Sequence, residues 1–122
     1  MANEIAISAE LRVSKVGRFD GLAFPLANFT LTGTRILHNV QNVGFAAAEA
    51  LILGEIVAGG WLMMVNRDPT NFISVRGAAG AVPLVELKTG ECALFRLHPS
   101  ATAPTVQADT AACDLEYLLL EN

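Results

Sequence analysis

Apolar and polar residues alternate along the first part of the chain. Every second position of this stretch is apolar, at Ile5, Ile7, Ala9, Leu11 and Val13, and most residues between them are polar or small. Successive side chains of a β-strand point to opposite faces, so the pattern predicts a long strand with one face buried and the other in water. The glycine-containing segment 17–21 is expected to end this strand.

The middle of the chain has a different pattern. Residues 61–65 read WLMMV, five apolar residues without a polar one between them. Such a run predicts a strand that is covered on both faces. Either a second sheet of the same chain or a neighbouring subunit could provide the second cover. Asp68 and Pro69 begin the turn that follows, because aspartate and proline favour the first two positions of a type I turn.

The remaining segments are also short and strand-like, with one exception. The last segment, 113–120, places Cys113, Leu115, Tyr117 and Leu119 on one face. Only residues 45–50 have helix propensity, and six residues are too few for more than one or two turns. Roughly eight to ten strands with frequent turn signals are typical of an all-β fold. We therefore predict an antiparallel, jelly-roll-like β-sandwich with at most one short helical turn, in a single domain over residues 1–122.

Composition adds an expectation about assembly. Hydrophobic residues make up 52% of the 122 residues and charged residues only 16%, against about 25% in an average soluble domain. A surface with few charges favours a homo-oligomer or a subunit of a larger particle. The alternative is an unusually apolar monomer, rich in alanine and glycine.

Charge and hydropathy indicate which classes of partner are disfavoured and where the protein is made. The net charge of −4, with scattered basic residues, argues against nucleic acid. No stretch of about 20 apolar residues predicts a membrane span. The start, MANEIAIS, has no signal-peptide pattern, so synthesis in the cytoplasm and reduced cysteines are expected.

No motif for chemistry stands out. The candidate metal ligands His38, His98, Cys92 and Cys113 are far apart in sequence, without C-x-x-C or H-x-H spacing. No serine lies in a G-x-S-x-G motif, and GAAGAVP lacks the lysine of a phosphate-binding loop. We predict no catalytic residue, no cofactor and no metal, which disfavours the third alternative, a small enzyme on a jelly-roll frame.

The turns and strands between Ile36 and Glu121 form a recognisable series. In order, they are residues 42–44, 60–61, 66–72, 83–91, 94–97, 108–111 and 115–118. In order and spacing this series resembles small virion structural proteins of tailed bacteriophages, similar to jelly-roll capsid decoration or cement proteins. The resemblance implies a non-enzymatic protein of the virion, made in the host cytoplasm. Its implied partners are copies of itself and the major capsid protein or another virion protein. The alternative is a tail or head-fibre sandwich that binds a carbohydrate or a host receptor.

Five residues are candidates for contacts between subunits. Aromatic residues, methionine and arginine are enriched at interfaces, and these types cluster on either side of the 68–71 turn. The candidates are Trp61, Met63, Met64, Phe72 and Arg76. For Trp61 a position in the core, between two sheets of one chain, remains the alternative.

Overall fold

A computed structural model describes residues 3–78, 80–98 and 102–122, which divide into two compact units. The first unit is Met1–Thr32 and the second is Gly33–Asn122, where the sequence suggested one domain over 1–122. Every regular element in the described ranges is a β-strand, which confirms the all-β prediction. The strands are β1 (Ile5–Lys15), β2 (Arg18–Phe29), β3 (Ile36–Val43), β4 (Glu49–Ala50), β5 (Gly59–Asn66), β6 (Ile73–Arg76), β7 (Val85–Leu87), β8 (Cys92–Arg96), β9 (Thr105–Ala108) and β10 (Cys113–Glu121).

The first unit is an antiparallel hairpin of β1 and β2. Its register runs from Ile5 opposite Phe29 to Lys15 opposite Arg18. The connection contains only Val16 and Gly17, both with positive φ, as two-residue hairpin loops of type I′ require. The predicted break over 17–21 is therefore shorter than expected, since β2 already begins at Arg18.

The alternating pattern of β1 forms the expected strand but not the expected core. Ile5 is buried and Ile7 is half-buried, whereas Leu11 is 76% exposed and Val13 is also exposed. The prediction that this face is buried is thus wrong for the outer part of the strand. The physical reason is that a sheet face is buried by a second layer packed against it, and the described residues of the first unit contain only the two strands of this one sheet.

The second unit is a sandwich of two four-stranded antiparallel sheets. The strand orders are β3-β10-β5-β8 in the first sheet and β4-β9-β6-β7 in the second. Counted from β3, these orders are 1-8-3-6 and 2-7-4-5, the double Greek key of a jelly roll. The predicted jelly-roll-like sandwich is confirmed.

The core of the sandwich follows the alternation of its strands. From β10 the four residues predicted to share one face, Cys113, Leu115, Tyr117 and Leu119, are all buried. From β5 the inward residues include Leu62 and Met64, both fully buried. The other strands and the loop after β4 complete the same cluster with Val43, Leu51, Ile56, Ile73, Val75, Leu87, Val106 and Ala108.

Residues 45–50 do not form the helical turn for which they have propensity. Glu49 and Ala50 form β4 and pair with Val106 and Thr105 of β9. The Glu49 carboxylate also accepts a hydrogen bond of 3.3 Å from the Gln41 side chain. A turn or two of isolated helix is marginal, so these tertiary contacts override the local propensity.

The loop between β5 and β6 is held by two polar side chains. Asp68 Oδ2 accepts hydrogen bonds from the backbone N–H groups of Thr70 at 3.0 Å and Asn71 at 2.6 Å. These bonds hold the pKa of Asp68 below its ordinary value. Asn66 is fully buried, and its amide donates to the carbonyl oxygens of Asn71 at 2.9 Å and Leu87 at 2.8 Å. The loop is thereby attached to β7.

Candidate functional site

The first sheet presents a broad surface to solvent, which we call the outer sheet face. Residues of β3, β10, β5 and β8 that alternate with the core positions point to this side. Large apolar side chains occur on all four strands and are exposed: Ile36, Val40, Met63, Leu94 and Leu118. Exposed apolar residues are common when scattered, but a contiguous group marks a contact surface.

The strand register brings three of these side chains side by side. Leu118 of β10 lies opposite Met63 of β5, and Met63 lies opposite Leu94 of β8. On the other side of β10, Leu118 lies opposite His38 of β3. Directly opposed residues on antiparallel strands have Cβ atoms about 4.5–5.5 Å apart, so the three apolar side chains form a continuous row.

A charged cluster lies next to this row. Glu116 of β10 is hydrogen-bonded to His38 Nε2 at 2.6 Å, and it accepts a hydrogen bond from Arg67 Nε at 2.7 Å. The bond from Arg67, followed by the one involving His38, holds the pKa of Glu116 below its ordinary value. The carboxylate is therefore ionised near neutral pH, and the Arg67 guanidinium balances its charge.

Apolar and charged groups together surround a shallow depression of about 230 Å³ on the outer sheet face. Its lining includes His38, Met63, Val65, Arg67, Glu116 and Leu118. Apolar side chains here can contact a partner over a flat area, while the paired carboxylate can orient that partner. The arrangement suits docking of a macromolecular surface.

The structure separates the five interface candidates of the sequence. Trp61, half-buried, and Met63, exposed, lie on the outer sheet face. Met64 is fully buried in the core, because it faces inward on the same strand, so its prediction as an interface residue is wrong. Phe72 precedes β6 of the second sheet, and Arg76 lies in β6, where its guanidinium is 3.3 Å from Gln107 Oε1. The candidates therefore do not form one surface.

Sequence reasoning missed the apolar residues on β3, β8 and β10. Which side chains point outward on these strands depends on the sheet each strand joins. One signal was available at residues 118–120, three consecutive leucines that must place apolar groups on both faces of β10. Of these, Leu118 is exposed on the outer sheet face and Leu119 is fully buried.

The residues considered as metal ligands have other surroundings. Cys92 is exposed and Cys113 is buried, and neither forms a disulfide. Burial, as the main cause, raises the pKa of the Cys113 thiol. Within the described part of the chain, no three His, Cys, Asp or Glu side chains are grouped so that they could hold a metal ion.

Comparison with known proteins identifies no relative of this chain. No protein-family model matches the chain, and neither the curated proteins nor the solved structures contain a significant match. Among residues 3–78, 80–98 and 102–122, no helix has the length and apolarity needed to cross a membrane. The fold and the outer sheet face therefore define the class, a jelly-roll sandwich with an exposed apolar sheet surface.

Proposed function

We propose that this protein is a non-enzymatic structural protein of a tailed-bacteriophage virion, a decoration or cement protein that stabilises the capsid. The observation that carries the proposal is the outer sheet face, where Leu118, Met63 and Leu94 form an apolar row across three adjacent strands. Its expected partners are the major capsid protein or another virion protein, together with further copies of this chain.

The magnitude of the contact suits a repeated particle. The five exposed apolar side chains of the outer sheet face leave about 400 Å² in water, and at about 25 cal/mol per Å² their burial contributes about 10 kcal/mol before binding costs. Association costs about 4–15 kcal/mol, so one such contact alone gives weak binding. Many copies bound to one shell, or copies joined to each other, would hold through multivalency.

Fold and resemblance support the same conclusion at a more general level. Double-sheet jelly rolls recur in viral capsid and lectin domains, as well as in cupins. Because one fold hosts many functions, the fold by itself does not select among them. The order of turns between Ile36 and Glu121 resembles that of virion proteins. It therefore favours the capsid role over the receptor-binding role and over the enzyme.

The test is the composition of phage particles. Particles made by cells that carry this gene with its neighbouring genes are purified on a density gradient and analysed by mass spectrometry. We expect the protein in the particles at a copy number comparable with that of capsid subunits. We also expect particles from a deletion strain to release DNA at a lower temperature. Absence from purified particles would reject the proposal, and recovery with detached tails would favour the receptor-binding alternative.

The outer sheet face is tested by adding purified protein back to the deletion particles. Met63→Glu combined with Leu118→Glu is expected to abolish co-sedimentation, because both changes place a charge in the apolar row. Val82→Glu is the matched control, since Val82 is an exposed apolar residue of the loop between β6 and β7. If the double variant binds as well as the control, the outer sheet face is not the docking surface.

A further inference from the structure

The hairpin has an apolar surface of its own, which we call the hairpin face. Residues that oppose each other in an antiparallel pair share one face of the sheet. The register therefore places four of the five apolar odd positions of β1 beside apolar residues of β2, for example Leu11 opposite Leu22. The exception is Val13, which lies opposite Asp20. The hairpin face consists of Ile5, Ile7, Ala9, Leu11, Val13, Leu22, Phe24, Ala27 and Phe29.

Much of this face is in water. Leu11 and Leu22 are 76% and 78% exposed, and Val13 and Phe24 are exposed as well. A two-stranded hairpin is marginally stable in water, and it needs packing on one face or a further strand. The alternating sequence of β1 and the ten paired positions, interrupted by one register shift between Ile7 and Ala9, therefore point to a state in which the hairpin face is covered.

We propose that the hairpin face is a self-association surface, which packs against the hairpin face of a second copy of this chain. An apolar surface of this kind is self-complementary about a two-fold axis, as an isologous interface requires. Packing two such faces about 10 Å apart gives a small two-layer sandwich with a dry interior.

The charge distribution favours a second copy as the occupant. Residues 3–32 contain three acidic and three basic side chains, so the whole net charge of −4 lies on residues 33–122. The acidic second units of two copies repel each other, whereas two neutral hairpins do not. The charged residues of the hairpin are Glu4, Glu10, Arg12, Lys15, Arg18 and Asp20.

The placement of these charges also selects which face is covered. On the hairpin face, charged residues occur only near the turn, where Lys15 lies opposite Arg18 and Asp20 lies opposite Val13. The opposite face holds an ion pair, Arg12 Nη2 with Glu10 Oε1 at 2.9 Å, in which both side chains are largely exposed. That face also exposes Phe19, which lies opposite Ser14, but its other paired residues are charged, polar or small. The hairpin face carries the larger apolar set, so it is the face assigned to the contact.

The area reaches the lower limit for a specific contact. The exposed side chains of the hairpin face leave about 500 Å² of apolar surface per copy, and a pair of copies would bury about 1,000 Å², the lower limit for a specific interface. Backbone and rim contacts of the two hairpins add to this area. The hairpin face therefore meets the requirement without any contribution from the outer sheet face.

The test is the mass of the full-length protein in solution, and it does not depend on the proposed virion function because no particle is needed. We expect a dimer or a larger species by size-exclusion chromatography with light scattering at micromolar concentration. Leu11→Glu combined with Leu22→Glu should convert it to the monomer of 12.9 kDa, because four glutamates would face each other across the interface. The thermal unfolding of the sandwich should be unchanged in this variant.

The matched control is Ser14→Glu combined with Asn28→Glu, which adds the same charge to exposed positions on the opposite face of the hairpin. This variant should keep the mass of the parent protein. A monomeric parent protein, an unchanged mass of the Leu11/Leu22 variant, or dissociation of the control would each overturn the proposal. Since melting of the sandwich is followed separately, a variant whose second unit fails to fold is recognised and replaced by Leu11→Ser with Leu22→Ser, which must also dissociate.

Discussion

Replacing Asn66 tests whether a single buried amide fixes the loop between β5 and β6. Its side chain uses both N–H donors, to the carbonyl oxygens of Asn71 and Leu87, and its Oδ1 accepts the backbone N–H of Asp68 at 2.9 Å. Asn66→Ala removes all three hydrogen bonds at once. Because the side chain is fully buried, water cannot simply take its place.

The magnitude follows from the burial of each partner. The bond to Leu87 is fully buried, so its loss carries most of the penalty for an unsatisfied buried group, about 2–3 kcal/mol. The bonds to Asn71 and Asp68 are partly buried, and each contributes about 1 kcal/mol. The expected loss is about 4 kcal/mol, which lowers the melting temperature of a domain of this size by roughly 15 °C or more.

The assay is equilibrium unfolding in urea, with the slope of the transition compared between variants. Asn42→Ala is the matched control, because the Asn42 amide donates to Asp114 Oδ1 at 3.0 Å on the exposed surface. It should cost less than about 1 kcal/mol. Asn66→Asp keeps the shape but turns a carboxylate toward two carbonyl oxygens, and it should destabilise at least as much as Asn66→Ala. Equal stabilities of Asn66→Ala and Asn42→Ala would refute the reasoning.

Three further predictions concern the two neighbouring methionines, the two cysteines and the carboxylate of Glu116, all in the sandwich. Met64→Ala should lower the free energy of unfolding by about 2–5 kcal/mol, because Met64 fills the core. Met63→Ala should lower it by less than about 1 kcal/mol, because Met63 is exposed. Equal melting temperatures of the two variants would contradict the assigned faces. Under native conditions a thiol reagent should modify Cys92 quickly and Cys113 only on unfolding, and two fast thiols would show that Cys113 is accessible. The folded-state pKa of Glu116 is lowered, so its contribution to stability is present above the unfolded-state value of 4.5 and is lost as the pH falls through the folded-state value. Glu116→Gln should therefore reduce stability at pH 7 and make acid unfolding less steep, and an unchanged acid limb would contradict this.

Hydrophobic alternation predicted the strands of the sandwich well, because side chains on the buried face of a strand are apolar and those on the solvent face are mostly polar. In β10 the four residues predicted to share one face, from Cys113 to Leu119, are all buried. In β5 the uninterrupted run 61–65 predicted a strand covered on both faces, but only one face is covered: Leu62 and Met64 are fully buried, whereas Met63 on the other face is exposed. The same run could not say which residue faces which side, so Met63 and Met64 were both assigned to an interface.

The order of the strands in the sheets cannot be predicted from hydrophobic alternation. The first sheet pairs β3 with β10, with Leu37 opposite Leu119 across most of the length of the second unit. Local periodicity contains no information about partners this distant in sequence, since any apolar strand edge could accept β10. The row of Leu118, Met63 and Leu94 depends on this order, which explains why the outer sheet face could not be assembled from the sequence.

The hairpin shows a second limit, because alternation indicates that a face is buried but not what covers it. Residues 5–13 alternate as regularly as 113–119, yet Leu119 is fully buried and Leu11 is 76% exposed. The difference comes from pairing and not from composition. Strand β10 lies inside a four-stranded sheet with a second sheet against it, whereas β1 has β2 as its strand partner. Strand β1 has the alternating pattern of a core strand, but its outer part is not buried. This is explained if a second copy of the chain covers its apolar face. Disruption of Leu11 should then change the mass of the protein and leave the stability of the sandwich unchanged.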